Sequence, residues 1–474
     1  MPFCFPFTHW FWFFFGIFML GNSYTSIAQD FIKIDTVILR GLKKTKALVV
    51  LRELNFRCGE VMKLSDTAAI LHSTRNNLLN TRLFHTCTYQ LTSIPESQGK
   101  PEKNALTIEL QERWYTLPIP VLELADRNFN EWWYDRKHDF RRINAGLTIL
   151  QKNVRGRNED FLIGAQTGFT RRLDFSYFIP YLDKRQILGL KVQGIFLGNR
   201  EVAVRSFSNR LQFVKDENSF GRERIMAGIQ LLIRKNINRY HSLECNYHSY
   251  KVSDFIFNLN PNYFLGSRFQ RYLEFRYTHT LDYRNYRFYA TKGWMATFRA
   301  SRIGVLSTDN FKLWSCTGSI SLYRPLTGRF YLATKLDGEI AEDKRLPYLG
   351  SRTLGYENRF VRGYERNVLE GNASIHLRNS LRMKVFSQVW NTGFSRSARY
   401  NHFPLDAYLV SFFDAGYMYN RFVLPENRLL VNTGLAGFGL GLHIVTVYDL
   451  VFRTEYSFNR QGGRGLFFSI LSDI

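Results

Sequence analysis

Residues 272–283 read YLEFRYTHTLDY, and apolar and polar side chains alternate along this stretch. In an extended chain, Leu273 and Phe275 fall on one side, while Glu274 and Arg276 fall on the other. An alternation with a period of two is typical of a β-strand that has one apolar face and one polar face. The stretch is therefore predicted to be a strand that separates two very different environments.

The same alternation recurs at residues 331–341 and 447–459. In the second of these stretches, the polar face collects Asp449, Arg453 and Glu455. Strands of this kind belong either to a half-buried soluble sheet or to a membrane barrel with a wet lumen. In a barrel, these three charged side chains would face the lumen.

The 360 residues from 115 to 474 favour the membrane barrel. Phe, Tyr and Leu dominate the apolar faces, as in a lipid-facing band, whereas the polar faces mix both signs of charge. At roughly 20 to 24 residues per strand and connection, the region accommodates about 15 to 18 strands, and closure removes their exposed edges. We predict an all-β transmembrane barrel of about 16 antiparallel strands. A secreted soluble solenoid or propeller is the alternative, although no internal repeat period is evident.

The charge balance first suggests a nucleic-acid binder, because 64 Lys and Arg against 40 Asp and Glu give a formal net charge of +24. The basic residues nevertheless interleave with acidic ones along the strands. We expect no nucleic-acid partner and assign the excess charge to the lumen and to contacts with anionic lipid headgroups. No HExxH, P-loop or GxSxG motif is present, so we predict neither an enzyme nor a cofactor or metal site.

The N-terminus indicates export. Residues 10–20 read WFWFFFGIFML, an uncharged apolar core, and Ser26 and Ala28 are small residues at the positions that a signal peptidase inspects. We predict a signal peptide over residues 1–28 with cleavage before Gln29. A retained N-terminal membrane anchor is the alternative, since no Lys or Arg precedes the apolar core.

Residues 29–114 mix helical and strand periodicity and predict a compact domain of order β-α-α-β-β. Thr45 and Ser65 are the expected caps of its two helices. Cys58 and Cys87 could pair or remain free thiols, and the sequence leaves both outcomes open.

Two short motifs stand out in the region with alternating strands. Residues 350–371 read GSRTLGYENRFVRGYERNVLEG, and residues 412–416 read FFDAG. The first stretch contains a VRGY tetrad, formed by Val361, Arg362, Gly363 and Tyr364. The second fits the pattern FxDxG, whose defined positions are Phe412, Asp414 and Gly416. In this order the motifs resemble those of the bacterial outer-membrane insertase superfamily, which includes BamA, TamA and the two-partner-secretion transporters.

The resemblance implies that the tetrad sits at the tip of a long loop folded into the lumen, where Arg362 pairs with Asp414. It also implies that residues 29–114 form a single POTRA domain in the periplasm. The sequence departs from the family at Ser380, where relatives often carry a glutamate, and at Ile474, where the last residue is usually a phenylalanine.

The function that the resemblance implies is that of an outer-membrane insertase or translocase of a diderm bacterium. Its expected partners are unfolded or partly folded outer-membrane or secreted client proteins, outer-membrane lipid and accessory lipoproteins. A secretion pore dedicated to one partner protein, and a passive porin or receptor, are the alternatives.

Overall fold

The structure is a computed structural model, and the residues it describes are 31–94, 103–125, 131–356, 359–391, 402–446 and 450–470. The predicted signal peptide, residues 1–28, and the site candidate Asp449 lie outside the described residues.

The N-terminal domain is a small sheet covered by helices. Its elements are β1 Phe31–Lys33, β2 Thr36–Arg40, α1 Ala47–Leu51, β3 Val61–Lys63, α2 Leu64–Asn80, β4 Phe84–Ile94 and β5 Lys103–Glu112. The main sheet has the order β2–β5–β4, in which β2 runs parallel and β4 antiparallel to β5. Apolar side chains from both layers, such as Leu78, Leu83 and Leu106, are fully buried between them. The ladder between β1 and β3 is an addition that the predicted order β-α-α-β-β lacked.

Both predicted helix caps are wrong. The N-cap of α1 is Lys46 and that of α2 is Lys63, and neither makes a side-chain cap hydrogen bond. The Thr45 hydroxyl instead lies 2.9 Å from the Tyr115 hydroxyl and accepts a 2.9 Å hydrogen bond from Asn153 Nδ2. Tertiary contacts with the barrel therefore use the side chain that local sequence assigned to capping.

The rest of the chain is almost entirely β-structure. Its strands are β6 Thr116–Leu124, β7 Ile143–Val154, β8 Glu159–Gly168, β9 Thr170–Ile179, β10 Leu188–Asn199, β11 Glu201–Phe207, β12 Arg210–Lys215, β13 Arg222–Asn236, β14 Arg239–Val252, β15 Phe269–Asp282, β16 Gly293–Ile303, β17 Leu313–Pro325, β18 Phe330–Ala341, β19 Arg352–Leu354, β20 Leu369–Glu370, β21 Ala373–Asn391, β22 His402–Tyr419, β23 Gly434–Val445, β24 Val451–Asn459 and β25 Arg464–Ile470. Short helical segments occur in the connections, at Glu131–Asp135, Phe140–Arg142, α3 Asp254–Leu259, Pro261–Tyr263 and Pro425–Asn427. No helix of the described residues is long and apolar enough to span a membrane.

Sixteen of these strands form one antiparallel sheet, which confirms the predicted number and direction. The sheet runs from β6 to β25 in chain order, with the hairpins β11–β12 and β19–β20 set outside it. Contacts on its inner face join strands that are far apart in this order. The turn after β15, for example, reaches β23 through a 3.0 Å hydrogen bond between Tyr289 and His443. The sheet is therefore curled into a barrel.

The two faces of the barrel reverse the usual arrangement of a soluble protein. Large apolar side chains point outward, and Leu440 and Ile340 are 68% and 62% exposed. Charged side chains point inward, and Asp414 and Arg382 have no exposed surface. Only a solvent of hydrocarbon around the barrel makes this arrangement favourable.

The connections separate into two groups. Because the N-terminal domain precedes β6, the short turns after β7, β9, β13, β15 and β17 lie on its side of the barrel. The long loops, including residues 342–372, lie on the opposite side. On the domain's side, Glu53 makes hydrogen bonds of 2.8 and 2.9 Å with Arg234 at the end of β13. Cys58 and Cys87 are free thiols.

Candidate functional site

The loop of residues 342–372 carries the VRGY tetrad into the barrel lumen. Its entry depends on glycines in the barrel wall. A Cβ at Gly437 would lie 1.8 Å from the carbonyl oxygen of Arg362, and one at Gly416 would lie 2.6 Å from Val361 Cγ2. Glycine in these strands thus allows the loop backbone to approach the wall closely.

Arg362 forms a bidentate ion pair with Asp414 of β22. Nη2 donates to Oδ1 over 2.6 Å and Nε donates to Oδ2 over 2.8 Å, while the backbone N–H of Arg362 also donates to Oδ2 over 3.1 Å. Both residues are buried. Three donors of one residue therefore bind a single buried carboxylate, and two of them form the bidentate geometry in which such pairs are strongest.

The remaining donor capacity of Arg362 is also used. Nη1 donates to Glu455 Oε1 of β24 over 2.9 Å, and Nη2 donates to the Ser380 hydroxyl over 3.1 Å. The guanidinium lies 3.9 Å from the ring centroid of Phe412. Ser380, which departs from the family pattern, thus acts as a neutral acceptor beside two carboxylates.

The other tetrad residues hold the loop at its flanks. Gly363 has a φ of +96°, a conformation that favours glycine, and its carbonyl accepts a 2.5 Å hydrogen bond from Asn459 Nδ2. The hydroxyl of buried Tyr364 hydrogen-bonds to Gln461 and donates to the Ala436 carbonyl over 3.4 Å.

Two further arginines fix the segment before the tetrad. Arg378 of β21 donates to the Phe360 carbonyl over 2.6 Å. Arg359 pairs with Glu339 and, at 3.4 Å, with Asp337 on β18. The loop is therefore attached to four wall strands, β18, β21, β22 and β24, by charged groups.

The Omp85 superfamily domain matches residues 153–447, a region that contains both motifs. The chain belongs to the Omp85 superfamily. Solved structures similar to it include BamA from Haemophilus ducreyi lacking POTRA domains 1–3 (TM-score 0.54, 13% identity, covering 93% of this chain and 84% of that one). CdiB from Escherichia coli is also similar (TM-score 0.56, 12% identity, covering 92% of this chain and 76% of that one). So is CdiB from Acinetobacter baumannii (TM-score 0.51, 14% identity, covering 92% of this chain and 73% of that one). No curated protein sequence matches the chain significantly.

Membership of Omp85 identifies which side of the barrel faces the periplasm and which faces the outside of the cell. The protein lies in the outer membrane, with its N-terminal domain in the periplasm and the long loops outside. Omp85 proteins are insertases and translocases and in general not enzymes, and this protein has that type of function.

This Omp85 barrel brings together most, but not all, of the site candidates. The tetrad contacts Phe412, Asp414 and Gly416 directly, and Glu455 joins them. Arg453 lies on the lumen face of β24, opposite His443 in the ladder with β23. Within the described residues, no three His, Cys, Asp or Glu side chains are grouped so that they could hold a metal ion.

Sequence reasoning missed two contributors to this Omp85 site. The first is the bond between Glu455 and Arg362, and the second is the buried imidazole of His443. Both belong to strands that are far from the loop in sequence. The alternation of Gly437 with Gly439 and Gly441 does indicate a strand face that another element can approach closely, and the carbonyl of Arg362 lies against this face.

Proposed function

We propose that this protein receives unfolded or partly folded outer-membrane or secreted proteins at a periplasmic POTRA domain, and inserts them into the membrane or passes them through the barrel. In this proposal the mature chain begins at Gln29, residues 29–114 form the POTRA domain, and residues 115–474 form the barrel. Its partners are the clients, outer-membrane lipid and accessory lipoproteins.

Capture of clients is supported by the edge of the N-terminal sheet. β4 is an outermost strand, and no further strand of the described residues pairs with it. Tyr89 and Leu91 on β4 are exposed apolar side chains. An extended client segment that adds to this edge would gain backbone hydrogen bonds without strict demands on its sequence.

Lateral release is supported by the two end strands of the barrel. Among the described residues, no ladder joins β6 to β25. β6 contains Pro118 and Pro120, which lack a backbone N–H and, two residues apart, point to the same edge. Since β6 pairs with β7 along its whole length, the missing donors belong to the edge that faces β25. A client would have few hydrogen bonds to break at this seam.

The buried ion pair between Arg362 and Asp414 is the observation that carries the proposed role of the loop. Replacing Arg362 with Ala would remove the cation that is hydrogen-bonded to two buried carboxylates, at a cost of about 3 to 5 kcal/mol. We expect the loop to loosen, single-channel conductance in planar bilayers to rise and client assembly to fall. Arg421→Ala, in an exposed outer loop, is the matched control and should change neither quantity.

Heat-dependent migration in detergent gels verifies that each variant still forms a barrel. If Arg362→Ala folds and leaves both conductance and client assembly unchanged, the loop is a structural plug and has no gating role.

Depletion of the protein separates the general function from its alternatives. Loss of many barrels from the outer-membrane proteome supports an insertase. Loss of a single exported protein supports a dedicated secretion pore, and an unchanged proteome supports a passive porin or receptor and contradicts the proposal.

A further inference from the structure

The turn between β15 and β16, which we name the inner turn (residues 283–292), is folded into the periplasmic mouth of the barrel. Its base is closed by a 2.9 Å hydrogen bond from Tyr283 N–H to the Trp294 carbonyl. Asn285 Oδ1 accepts 3.1 Å bonds from the backbone N–H groups of Thr291 and Lys292. The turn is thus a defined hairpin. Its tip is buried, although a turn that joins two barrel strands is normally exposed to solvent.

The tip of the inner turn reaches across the lumen to the strands that hold the VRGY loop. The Tyr289 hydroxyl lies 3.0 Å from His443 Nδ1 on β23. Arg382 of β21 donates from Nη1 to the Ala290 carbonyl over 2.9 Å, and its guanidinium lies 4.2 Å from the Tyr289 ring centroid. All four of these side chains are buried.

The contact continues to the tetrad without interruption. His443 Nε2 lies 3.2 Å from Glu455 Oε1, and the same oxygen accepts the 2.9 Å bond from Arg362 Nη1. Tyr289, His443, Glu455 and Arg362 therefore form one chain of polar contacts between the inner turn and the loop.

The opposite side of the inner turn contacts the N-terminal domain. Asn80, the last residue of α2, accepts a 3.2 Å hydrogen bond from the Arg287 N–H. The guanidinium of Arg82 lies 3.7 Å from the ring centroid of Phe288, which directly precedes Tyr289. A shift of the C-terminal end of α2 would pull on the residue next to the lumen contact.

We propose that the inner turn is a second plug, which closes the periplasmic mouth and is withdrawn when the N-terminal domain moves. This rests on the proposed function, since a client bound to the domain supplies the movement. A barrel with two plugs opens fully only when both the VRGY loop and the inner turn leave the lumen. Because the chain of polar contacts joins the two plugs, release of one favours release of the other.

Thiol labelling measures withdrawal of the plug directly in the full-length protein. Ala290→Cys is introduced into a chain in which all five native cysteines are replaced by Ala, namely Cys4, Cys58, Cys87, Cys245 and Cys316. The protein is placed in lipid nanodiscs and treated with a membrane-impermeant maleimide. We expect slow labelling, and about tenfold faster labelling when Arg82→Glu removes the cation–π contact, because labelling follows the population of the open turn.

Two controls keep this test specific. Arg82→Lys retains a cation over Phe288 and should label slowly, and Arg40→Glu reverses a charge elsewhere on the same domain and should do likewise. Equal rates in the parent and Arg82→Glu, or fast labelling of every variant, would overturn the inference. If the depletion and client-assembly experiments fail but labelling still depends on Arg82, the proposed function is contradicted and the inference about the inner turn is not.

The link to the loop has a separate readout. Tyr289→Phe removes only the hydroxyl that reaches His443, while Tyr247→Phe makes the same change at an exposed tyrosine of β14, outside the inner turn. We expect Tyr289→Phe to raise conductance and Tyr247→Phe to leave it unchanged. In the double variant with Arg362→Ala, Tyr289→Phe should raise conductance by less than it does alone, since both substitutions act through Glu455. Fully additive effects on conductance would contradict the coupling.

Discussion

The N-terminal domain and the barrel bury opposite kinds of side chain. The domain encloses aliphatic residues such as Leu83 and Leu106 and exposes most of its charged side chains to water. The barrel encloses Arg362, Asp414 and Glu455 and exposes leucine and phenylalanine. The same rule explains both, because each side chain faces the solvent that suits it: water outside the domain, hydrocarbon outside the barrel.

The comparison shows that exposure alone does not predict tolerance to substitution. Leu48 of α1 is 64% exposed and Leu440 of β23 is 68% exposed, yet one faces water and the other faces lipid. The buried residues differ in the same way. A buried leucine in the domain is stabilised by packing, whereas a buried arginine in the barrel depends on partners that satisfy its charge.

The largest effect is expected from Gly437→Ala. The added Cβ collides with the Arg362 carbonyl and displaces the residue from its two carboxylates, at a cost of about 3 to 5 kcal/mol. The temperature of the heat-dependent gel shift should fall and conductance should rise. Gly318→Ala is the matched control, because nothing lies within 4 Å of its Cβ position. An equal response of both variants would show that the loop is not held against this strand.

Leu106→Ala tests the opposite kind of interior. It opens a cavity in the core of the N-terminal domain and should lower the free energy of unfolding of this domain by about 2 to 5 kcal/mol. Urea-dependent proteolysis of the domain in the full-length protein measures the change. Leu48→Ala, on the exposed side of α1, should have little effect, and a similar loss there would argue against the assignment of the core.

Leu440→Arg and Leu48→Arg place the same charge at two sites of nearly equal exposure. In the bilayer, Leu440→Arg should cost about 2 to 4 kcal/mol, because Leu440 lies in the middle of a membrane strand. Leu48→Arg should stay within about 0.5 kcal/mol. Folding into lipid vesicles from urea gives both values. Equal tolerance would place the outer face of β23 in water.

Glu112→Gln probes a buried charge in the domain. Burial raises the pKa of Glu112, but hydrogen bonds from Thr45 and Lys44 outweigh burial and hold the pKa below its ordinary value of 4.5. The stabilisation is therefore present above about this pH and is lost as the pH falls through the lowered pKa. We expect Glu112→Gln to cost about 1 to 3 kcal/mol near neutral pH and to make the urea midpoint less sensitive to acid.

Glu109→Gln, on the exposed face of the same strand, is the control for this last prediction. It should retain the acid sensitivity of the parent. If the two variants behave alike, the backbone hydrogen bonds to Glu112 do not set the pH dependence of the domain.

Much of the architecture could be predicted because alternation reports the environment of every second residue. The stretch around Phe275 and Glu274 shows this: its apolar residues point outward and its charges point into the lumen. The helix cap at Thr45 could not be predicted, since barrel residues compete for its hydroxyl. Ser65 is not a cap because the helix begins one residue earlier, at Leu64. The short β1–β3 ladder likewise depends on tertiary pairing of three-residue segments.

The site was predictable to the extent that its residues lie in motifs. The resemblance implied the contact between Arg362 and Asp414, and the two lie 2.6 Å apart; the gating role of the pair remains a prediction. Glu455 was assigned to the lumen from alternation, but its bond to Arg362 was not foreseen. Alternation gives the face of a strand and carries no information about which groups meet across a lumen.

The sequence by itself determined the polarity of the alternating strands and the family motifs, because these properties depend on local spacing along the chain, and the length of the region limited the number of strands. Only the tertiary structure decided which groups meet inside the barrel. The curvature of the sheet brings the inner turn, His443 and the VRGY loop together, although Tyr289 and His443 are 154 residues apart. This curvature sets such distances, and no local pattern encodes them.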